Sequence, residues 1–284
     1  KNKLVLLMAA ILLAGVISAG CNTNMGKNNK LVVAVTIVPQ KTFIEAVCGD
    51  MVDVVTLIPP GYSPENHEPS PMVMQKFSDA DIYFAMGMPV EAASILPKAG
   101  GKKVVRLDQE VAQVYPDRYF GDGQEDERDP HIWLSPKRVI VMINAIAREM
   151  IALDGANRQI YERNAQEYIK KLEALDSEIK EIIINAKSKK FIIFHPSLGY
   201  FADDYQLAMY ALEEYGKEAT PKRMQELIDL AKAEGIKVIF AQAETDSKQS
   251  EAFAESIKGR KYVIDPLSAD YINNLKDIAN AIAA

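Results

Sequence analysis

FIIFHPSLGY, residues 191–200, is the stretch that decides the fold class of this 284-residue chain. Its first four residues are all apolar, without the alternation of a half-exposed strand, which is typical of a strand covered on both faces. Further short β-rich runs, several of them equally continuous, are separated by helical patterns; they lie at 31–38, 52–58, 81–85, 103–107, 237–242 and 262–265. The sequence therefore predicts an α/β fold with parallel-type sheets.

One long amphipathic helix is predicted between the two groups of strands. From 157 to 186, apolar residues recur at steps of three, four or eight with charged residues between them. A helix of about 30 residues spans about 45 Å, enough to join two lobes rigidly. We predict an N-terminal α/β lobe over 30–156, a linking helix over 157–186 and a C-terminal α/β lobe over 187–284, with a binding cleft between the lobes.

The first 21 residues have the order of a secretory signal peptide. Two lysines precede an apolar run over residues 4–17, and small residues lead up to Cys21. Small residues before a cysteine resemble the bacterial lipoprotein processing site, so Cys21 is predicted to carry lipid; a short transmembrane anchor is the alternative. Residues 22–30 are polar and predict a tether. Either way, the folded part is expected outside the cytoplasm.

The charge of the chain argues against a nucleic-acid-binding protein. The chain has 33 Lys and Arg against 39 Asp and Glu, a net charge of -6, and no basic stretch long enough to follow a phosphate backbone, so no nucleic-acid partner is expected.

The acidic segment GDGQEDERD, residues 121–129, predicts a surface loop. Cys48 has no second cysteine in the mature chain and is predicted to be a small buried hydrophobic residue.

The chain has three histidines, and all three lie in loops or at strand ends. His195 closes FIIFH, His131 precedes a helix start in DPHIWLSP, and His67 lies in the loop GYSPENHEP after a predicted strand. Asp265 ends the strand pattern YVID, and Glu65 shares the His67 loop. The carboxyl ends of parallel strands form one rim, where ligands bind. Imidazoles and carboxylates converging there suit Zn²⁺, Mn²⁺ or Fe²⁺.

Several motifs resemble one known family. DPHIWLSP, HPSLGYFADDY, GKEATPKRM and DPLSADYINNL are similar to stretches of the zinc/manganese-binding lipoproteins of ATP-binding-cassette (ABC) importers, the ZnuA-like family, and the resemblance covers essentially the whole mature chain. The resemblance implies two lobes joined by a long helix and a metal ion as transported ligand. It also implies that His131, His195 and Asp265 are metal ligands.

The first ligand is where this sequence departs from the family pattern. That pattern reads roughly GxxPHxxEP, so GYSPENHEP aligned without a gap places Glu65 at the ligand position, with His67 two residues later. Alignment favours Glu65, whereas the softer imidazole donor favours His67. We predict His67 as the first ligand, with Glu65 as the alternative.

Three classes of function fit a lipid-anchored, two-lobed protein to different degrees. The resemblance implies a monomeric, non-enzymatic protein that captures a divalent metal, zinc first and manganese or iron as alternatives, and delivers it to an ABC permease in the membrane. A zinc-dependent hydrolase would need a general base near the metal, and the chain has neither HExxH nor GxSxG. A binding protein for a small organic solute would not explain the three histidines.

Overall fold

A computed structural model describes residues 30–120, 127–214, 216–245 and 248–284. The predictions for the signal peptide, for Cys21 and for nearly all of the tether fall outside these residues. The first sheet is four-stranded and entirely parallel, in the order β2-β1-β3-β4. Its strands are β1 (Leu31–Val35), β2 (Val52–Thr56), β3 (Ile82–Ala85) and β4 (Lys103–Arg106).

The second sheet repeats this arrangement, with four parallel strands in the order β6-β5-β7-β8. Its strands are β5 (Lys190–Ile193), β6 (Ala208–Ala211), β7 (Val238–Gln242) and β8 (Arg260–Ile264). Seven of the eight strands follow the runs seen in the sequence. The sequence analysis missed β6, an edge strand whose four residues are all half-buried and which therefore lacks a continuous buried pattern.

Helices cover the sheets and connect their strands. They are α1 (Val38–Cys48), α2 (Pro71–Ser78), α3 (Leu107–Ala112), α4 (Pro136–Leu153), α5 (Arg158–Ile184), α6 (Gly199–Asp204), α7 (Pro221–Glu234), α8 (Lys248–Ser256) and α9 (Tyr271–Ala283). Three of them begin with the same signal, a hydroxyl N-cap residue followed by proline, and the cap oxygen accepts a hydrogen bond from the backbone N–H three residues on; the caps are Ser70, Ser135 and Thr220.

The first strand is shorter than the sequence pattern suggests. The apolar run over 31–38 predicts one strand, but β1 ends at Val35 and α1 begins at Val38. Pro39 lies in the first turn of α1, where its fixed φ suits a helix and its missing N–H is not needed. The turn that follows β1 therefore lies at the carboxyl edge of the first sheet.

The long helix α5 connects the two groups of strands. It packs against α4, α1 and α9, and it presents one buried stripe that includes Tyr168, Leu172 and Ile179. Residues Leu31–Ala284 form one compact unit. Two parallel sheets with covering helices and a long connecting helix confirm the predicted α/β fold class; the exact domain limits stay a prediction.

The prediction for Cys48 can be compared with the structure. Cys48 is fully buried at the end of α1 and is a free cysteine within the described residues, which confirms the prediction of a small buried hydrophobic residue. Burial, and to a smaller extent the negative charge of Asp154, raise the pKa of its thiol to about 12. Within the described residues, none of the helices combines the length and the apolar character needed to cross a bilayer.

Candidate metal centre

Three side chains converge between the two sheets. Nε2 of His131 lies 3.4 Å from Nε2 of His195 and 3.4 Å from Oε1 of Glu65, and that oxygen lies 3.1 Å from Nε2 of His195. Ligand atoms about 2.0–2.1 Å from a tetrahedral Zn²⁺ are about 3.3–3.4 Å apart. The three atoms therefore already have the spacing of one face of a metal coordination sphere. Among the described residues, this is the one group of three or more potential ligands that could hold a metal ion.

Each of these side chains is carried by a different connection. Glu65 lies in the loop between β2 and α2, where the buried Pro64 precedes it and its side chain is 27% exposed. His195 follows β5 at the carboxyl edge of the second sheet, and His131 precedes the short 3-10 helix that leads into α4. Both imidazoles are buried. The site thus forms only when the two lobes are packed together.

Asp129 orients the imidazole of His131. Its Oδ1 accepts hydrogen bonds from Nδ1 of His131 at 2.8 Å and from the His131 backbone N–H at 3.0 Å. Its Oδ2 accepts a hydrogen bond from Nη1 of Arg118 at 3.1 Å. Asp129 is completely buried, so the prediction that the whole segment 121–129 is a solvated loop is wrong at its last residue; residues 121–126 lie outside the described part of the chain.

Glu213 plays the same part for His195. Its Oε1 accepts a hydrogen bond from Nδ1 of His195 at 2.9 Å, which leaves Nε2 of that ring directed at the other two side chains. A carboxylate on the far nitrogen fixes ring orientation and increases ligand basicity. The sequence analysis missed both orienting residues. Asp129 could have been found from its position two residues before His131, whereas Glu213 follows the strand that was missed.

Electrostatics in the site favour ionised Glu65 and protonated His195 when no metal is bound. Burial would lower the pKa of His195, but the hydrogen bonds from its ring to Glu213 and Glu65 outweigh this and raise the pKa to about 10. Burial would raise the pKa of Glu65, but the hydrogen bond with His195 and the charges of His195 and His131 bring it below its ordinary value. A divalent cation would take the place of this proton.

The structure does not bring the other two predicted ligands to this group. The ring of His67 stacks against Tyr62, with centroids 4.1 Å apart and an angle of 38° between the planes. Asp265 is exposed, and its Oδ1 accepts a hydrogen bond from the backbone N–H of Leu267 at 3.0 Å. The predicted roles of His67 and Asp265 as ligands stay predictions.

Aromatic side chains pack on one side of the site. The ring of Trp133 lies 5.1 Å from that of His131, and its indole N–H donates a hydrogen bond to the carbonyl of Pro266 at 2.8 Å. Tyr271 in turn donates a hydrogen bond to the carbonyl of Trp133 at 2.7 Å. Both aromatic side chains are almost completely buried. On the other side, Glu65 and His195 line a cavity of about 580 Å³, which offers a route to the group.

Fold and site together define a two-lobed α/β protein with a candidate metal centre between its lobes. The chain belongs to the family described as zinc-uptake complex component A, periplasmic, whose family model matches residues 33–284. The resemblance seen in the sequence is thereby confirmed.

Curated relatives carry names from metal transport. The zinc-binding lipoprotein AdcA of Streptococcus pneumoniae is 29% identical over 281 residues, which are 94% of this chain but 56% of that protein. This chain thus spans little more than half of AdcA. The manganese ABC transporter substrate-binding lipoprotein PsaA of Streptococcus anginosus is 26% identical over 258 residues, which are 86% of this chain and 82% of that protein.

Solved structures show the same fold. A crystal structure of ZnuA has 34% sequence identity and a TM-score of 0.82, with 89% of this chain and 98% of that chain covered. The periplasmic zinc-binding protein TroA from Treponema pallidum has 18% identity and a TM-score of 0.80, with 90% and 99% covered. The second likeness is one of fold alone.

Proposed function

We propose that this protein captures a divalent transition metal ion outside the cytoplasm and delivers it to the permease of an ABC importer. The observation that carries the proposal is the triangle of two imidazole nitrogens and one carboxylate oxygen, with sides of 3.1, 3.4 and 3.4 Å. Relatives named as a zinc-binding lipoprotein and as manganese and iron ABC transporter substrate-binding lipoproteins support the transport role. They also support a carrier and not an enzyme.

The proposed ligands are Glu65, His131 and His195, with zinc as the first metal and manganese or iron as alternatives. Neutral imidazoles and a carboxylate suit all three ions. Carboxylates on the far nitrogens of both histidines support ligation, because a metal-bound histidine almost always donates its other ring N–H to a carboxylate, a backbone carbonyl or water. We further propose that the protein is a monomer and that Cys21 carries the lipid that holds it at the membrane.

The test of the site is a competition titration of the purified protein with zinc and with manganese. Parent protein should bind one equivalent, and the change of His131 or His195 to alanine should weaken binding by at least about 100-fold, since each loss removes a ligand and opens the site to water. A parent that binds neither metal would refute the proposed function.

Glu65→Gln and His67→Gln separate the two candidates for the first ligand. If Glu65 is a ligand, only its change should weaken binding, because His67 packs on Tyr62 away from the group. Glu68→Gln is the matched control: it lies in the same loop, is exposed, and accepts a hydrogen bond from Ser94 instead of facing the histidines. Loss of binding with His67→Gln alone would restore the prediction made from the sequence.

A further inference from the structure

Glu91 is a buried carboxylate of the first lobe that lies outside the group of three candidate ligands. It is 1% exposed and belongs to the connection that follows β3. Burying a carboxylate is unfavourable unless hydrogen-bond donors surround it. Four donors do so here: the hydroxyl of Thr36 and the backbone N–H groups of Met86, Gly87 and Met88. Hydrogen bonds to a charged acceptor are stronger than neutral ones, so Glu91 holds these groups firmly in place.

The three backbone N–H groups form a turn around the Glu91 carboxylate. That of Met86 donates to Oε1 at 2.8 Å, and those of Gly87 and Met88 donate to Oε2 at 2.7 and 3.1 Å. Successive N–H groups of this kind make a concave site for an anion, which the carboxylate fills. Gly87 has a φ of +85°, which favours glycine, and a Cβ there would lie 2.6 Å from Oδ2 of Asp108. The shape of the turn is therefore closely defined.

Thr36 connects Glu91 to the loop that carries Glu65. It follows β1, the strand next to β3, and its hydroxyl donates a hydrogen bond to Oε1 of Glu91. Its carbonyl accepts the backbone N–H of Ile58 at 2.9 Å, where the chain leaves β2 for that loop. Two prolines follow directly and restrict the backbone further. The start of the Glu65 loop is thus fixed through Thr36.

Arg128 connects the same turn to the segment that carries His131. The N–H groups of the turn face Glu91, whereas two of its carbonyls accept hydrogen bonds from Nη2 of Arg128, that of Gly87 at 3.0 Å and the preceding one at 3.4 Å. Arg128 directly precedes Asp129, the carboxylate that orients the His131 ring. The turn built on Glu91 is therefore linked to both candidate ligands of the first lobe.

We infer that Glu91 is a positioning residue of the candidate metal centre. By fixing the turn between two segments, it keeps the Glu65 carboxylate and the His131 ring at the spacing that one ion requires. The inference rests on the proposed function and extends it to a residue that does not touch the metal. Loss of this carboxylate should therefore disturb two ligands together, although each belongs to a different connection.

The test is Glu91→Gln, which keeps the shape of the side chain but replaces one carboxylate oxygen by an amide group that accepts no hydrogen bond. Zn²⁺ affinity is measured by competition titration, and the visible absorption of the Co²⁺-loaded protein reports the geometry of the ligands. We expect Zn²⁺ binding to weaken at least about tenfold and the Co²⁺ spectrum to change, since partners that orient metal ligands typically contribute about 10–100-fold in affinity.

Asp154→Asn is the matched control for a loss of stability alone. Asp154 also accepts hydrogen bonds from side chains, but it lies at the end of α4 that is distant from His131. This variant should unfold at lower urea concentration than the parent and should keep the Zn²⁺ affinity and the Co²⁺ spectrum of the parent. Equal losses of affinity in Asp154→Asn and Glu91→Gln would overturn the inference.

A pair of changes at Thr36 tests the link to the Glu65 loop, also where Glu91→Gln does not fold. Thr36→Val removes the hydroxyl at nearly constant shape and should weaken Zn²⁺ binding, whereas Thr36→Ser keeps the hydroxyl and should bind like the parent. Equal binding by these two variants would overturn the inference while the proposed function stands. So would parent-like affinity and an unchanged Co²⁺ spectrum in Glu91→Gln. A parent that binds no metal would overturn both.

Discussion

Asp129 shows how one buried carboxylate determines what a histidine can do. One of its oxygens holds both the ring and the backbone of His131, and the other holds Arg118. The second nitrogen of the ring is therefore directed at the site before any ligand arrives. Because a ring that is already oriented loses less freedom on binding, this arrangement contributes to affinity without a direct contact to the metal.

Replacement of Asp129 by asparagine should lower zinc affinity by about 10–100-fold, because the ring of His131 would lose its charged partner. The measurement is a competition titration of the parent and the variant. Asp203→Asn is the matched control, since Asp203 also pairs with Arg118, at 3.2 Å, but its side chain is 57% exposed and touches neither histidine. An equal loss of affinity in Asp203→Asn would assign the effect to Arg118 instead of to the orientation of His131.

Gly199 leaves room for this same pair of side chains. A Cβ at this position would lie 2.5 Å from Nη1 of Arg118 and 2.5 Å from Oδ2 of Asp129, closer than real contacts allow. Gly199→Ala should therefore displace the pair, reduce the free energy of unfolding by about 1–3 kcal/mol and weaken zinc binding. Urea unfolding and zinc titration measure the two effects. Gly101→Ala, whose Cβ would meet no atom within 4 Å, should change neither.

At the scale of the element, the corner between α4 and α5 depends on one carboxylate. Oδ2 of Asp154 accepts hydrogen bonds from Nδ2 of Asn157 at 2.6 Å and from the hydroxyl of Tyr161 at 2.7 Å. These two bonds, that of Asn157 first, lower the pKa of Asp154. The corner turns the chain back so that α5 packs along α4.

The sign of the resulting pH dependence follows from the lowered pKa of Asp154. Its ionised form stabilises the fold above the unfolded value of about 3.9, and this contribution is lost as pH falls through the folded pKa. Asp154→Asn should be less stable than the parent at pH 7, and the difference should shrink at low pH. Urea unfolding at several pH values measures it. A difference that stays constant down to pH 2.5 would contradict this account.

How much of each element the sequence could predict depends on burial. The strand Lys190–Ile193 is buried from Phe191 onward, and its continuous apolar pattern was sufficient to identify it. The edge strand Ala208–Ala211 is half-buried, so its pattern gave no strand signal, and Glu213 was missed with it. Loop residues were harder still. Glu65 and His67 are two positions apart, and their directions depend on packing, such as the stacking of His67 on Tyr62, that no local pattern encodes.

At the scale of the whole molecule, a buried ion pair ties the two lobes together. Asp204, at the end of α6, accepts a hydrogen bond from Nη1 of Arg138 in α4 at 2.7 Å, and the two side chains are 4% and 6% exposed. The guanidinium also lies over the ring of Tyr200, 4.5 Å from its centroid. The packing of α4 against α6 therefore depends on a charged pair as well as on apolar contacts.

Asp204→Ala should destabilise the fold by about 3–5 kcal/mol, because it leaves Arg138 buried without its counter-charge. The free energy of unfolding in urea is the measurement. An exposed pair serves for comparison: Lys190 and Glu234 lie 2.7 Å apart with 37% of each side chain exposed, and Glu234→Ala should reduce the free energy of unfolding far less. Equal effects of the two substitutions would show that burial of the Asp204 pair is unimportant.

The contacts of Trp133 and Tyr271 also join parts of the chain that are far apart in the sequence. The carbonyl of Pro266 accepts a hydrogen bond from the indole N–H of Trp133, and the hydroxyl of Tyr271 donates one to the carbonyl of Trp133. The carbonyl of Ala269 accepts a hydrogen bond from the hydroxyl of Thr42, 227 positions earlier. Residues late in the described part of the chain thus contact residues much earlier in it. A chain cut after residue 264 should leave most amide hydrogens of the first lobe open to exchange with solvent, whereas protection like that of the full chain would mean that this lobe matures alone. Exchange in the cut chain would show that the first lobe reaches its full stability only through a segment that follows it in the sequence.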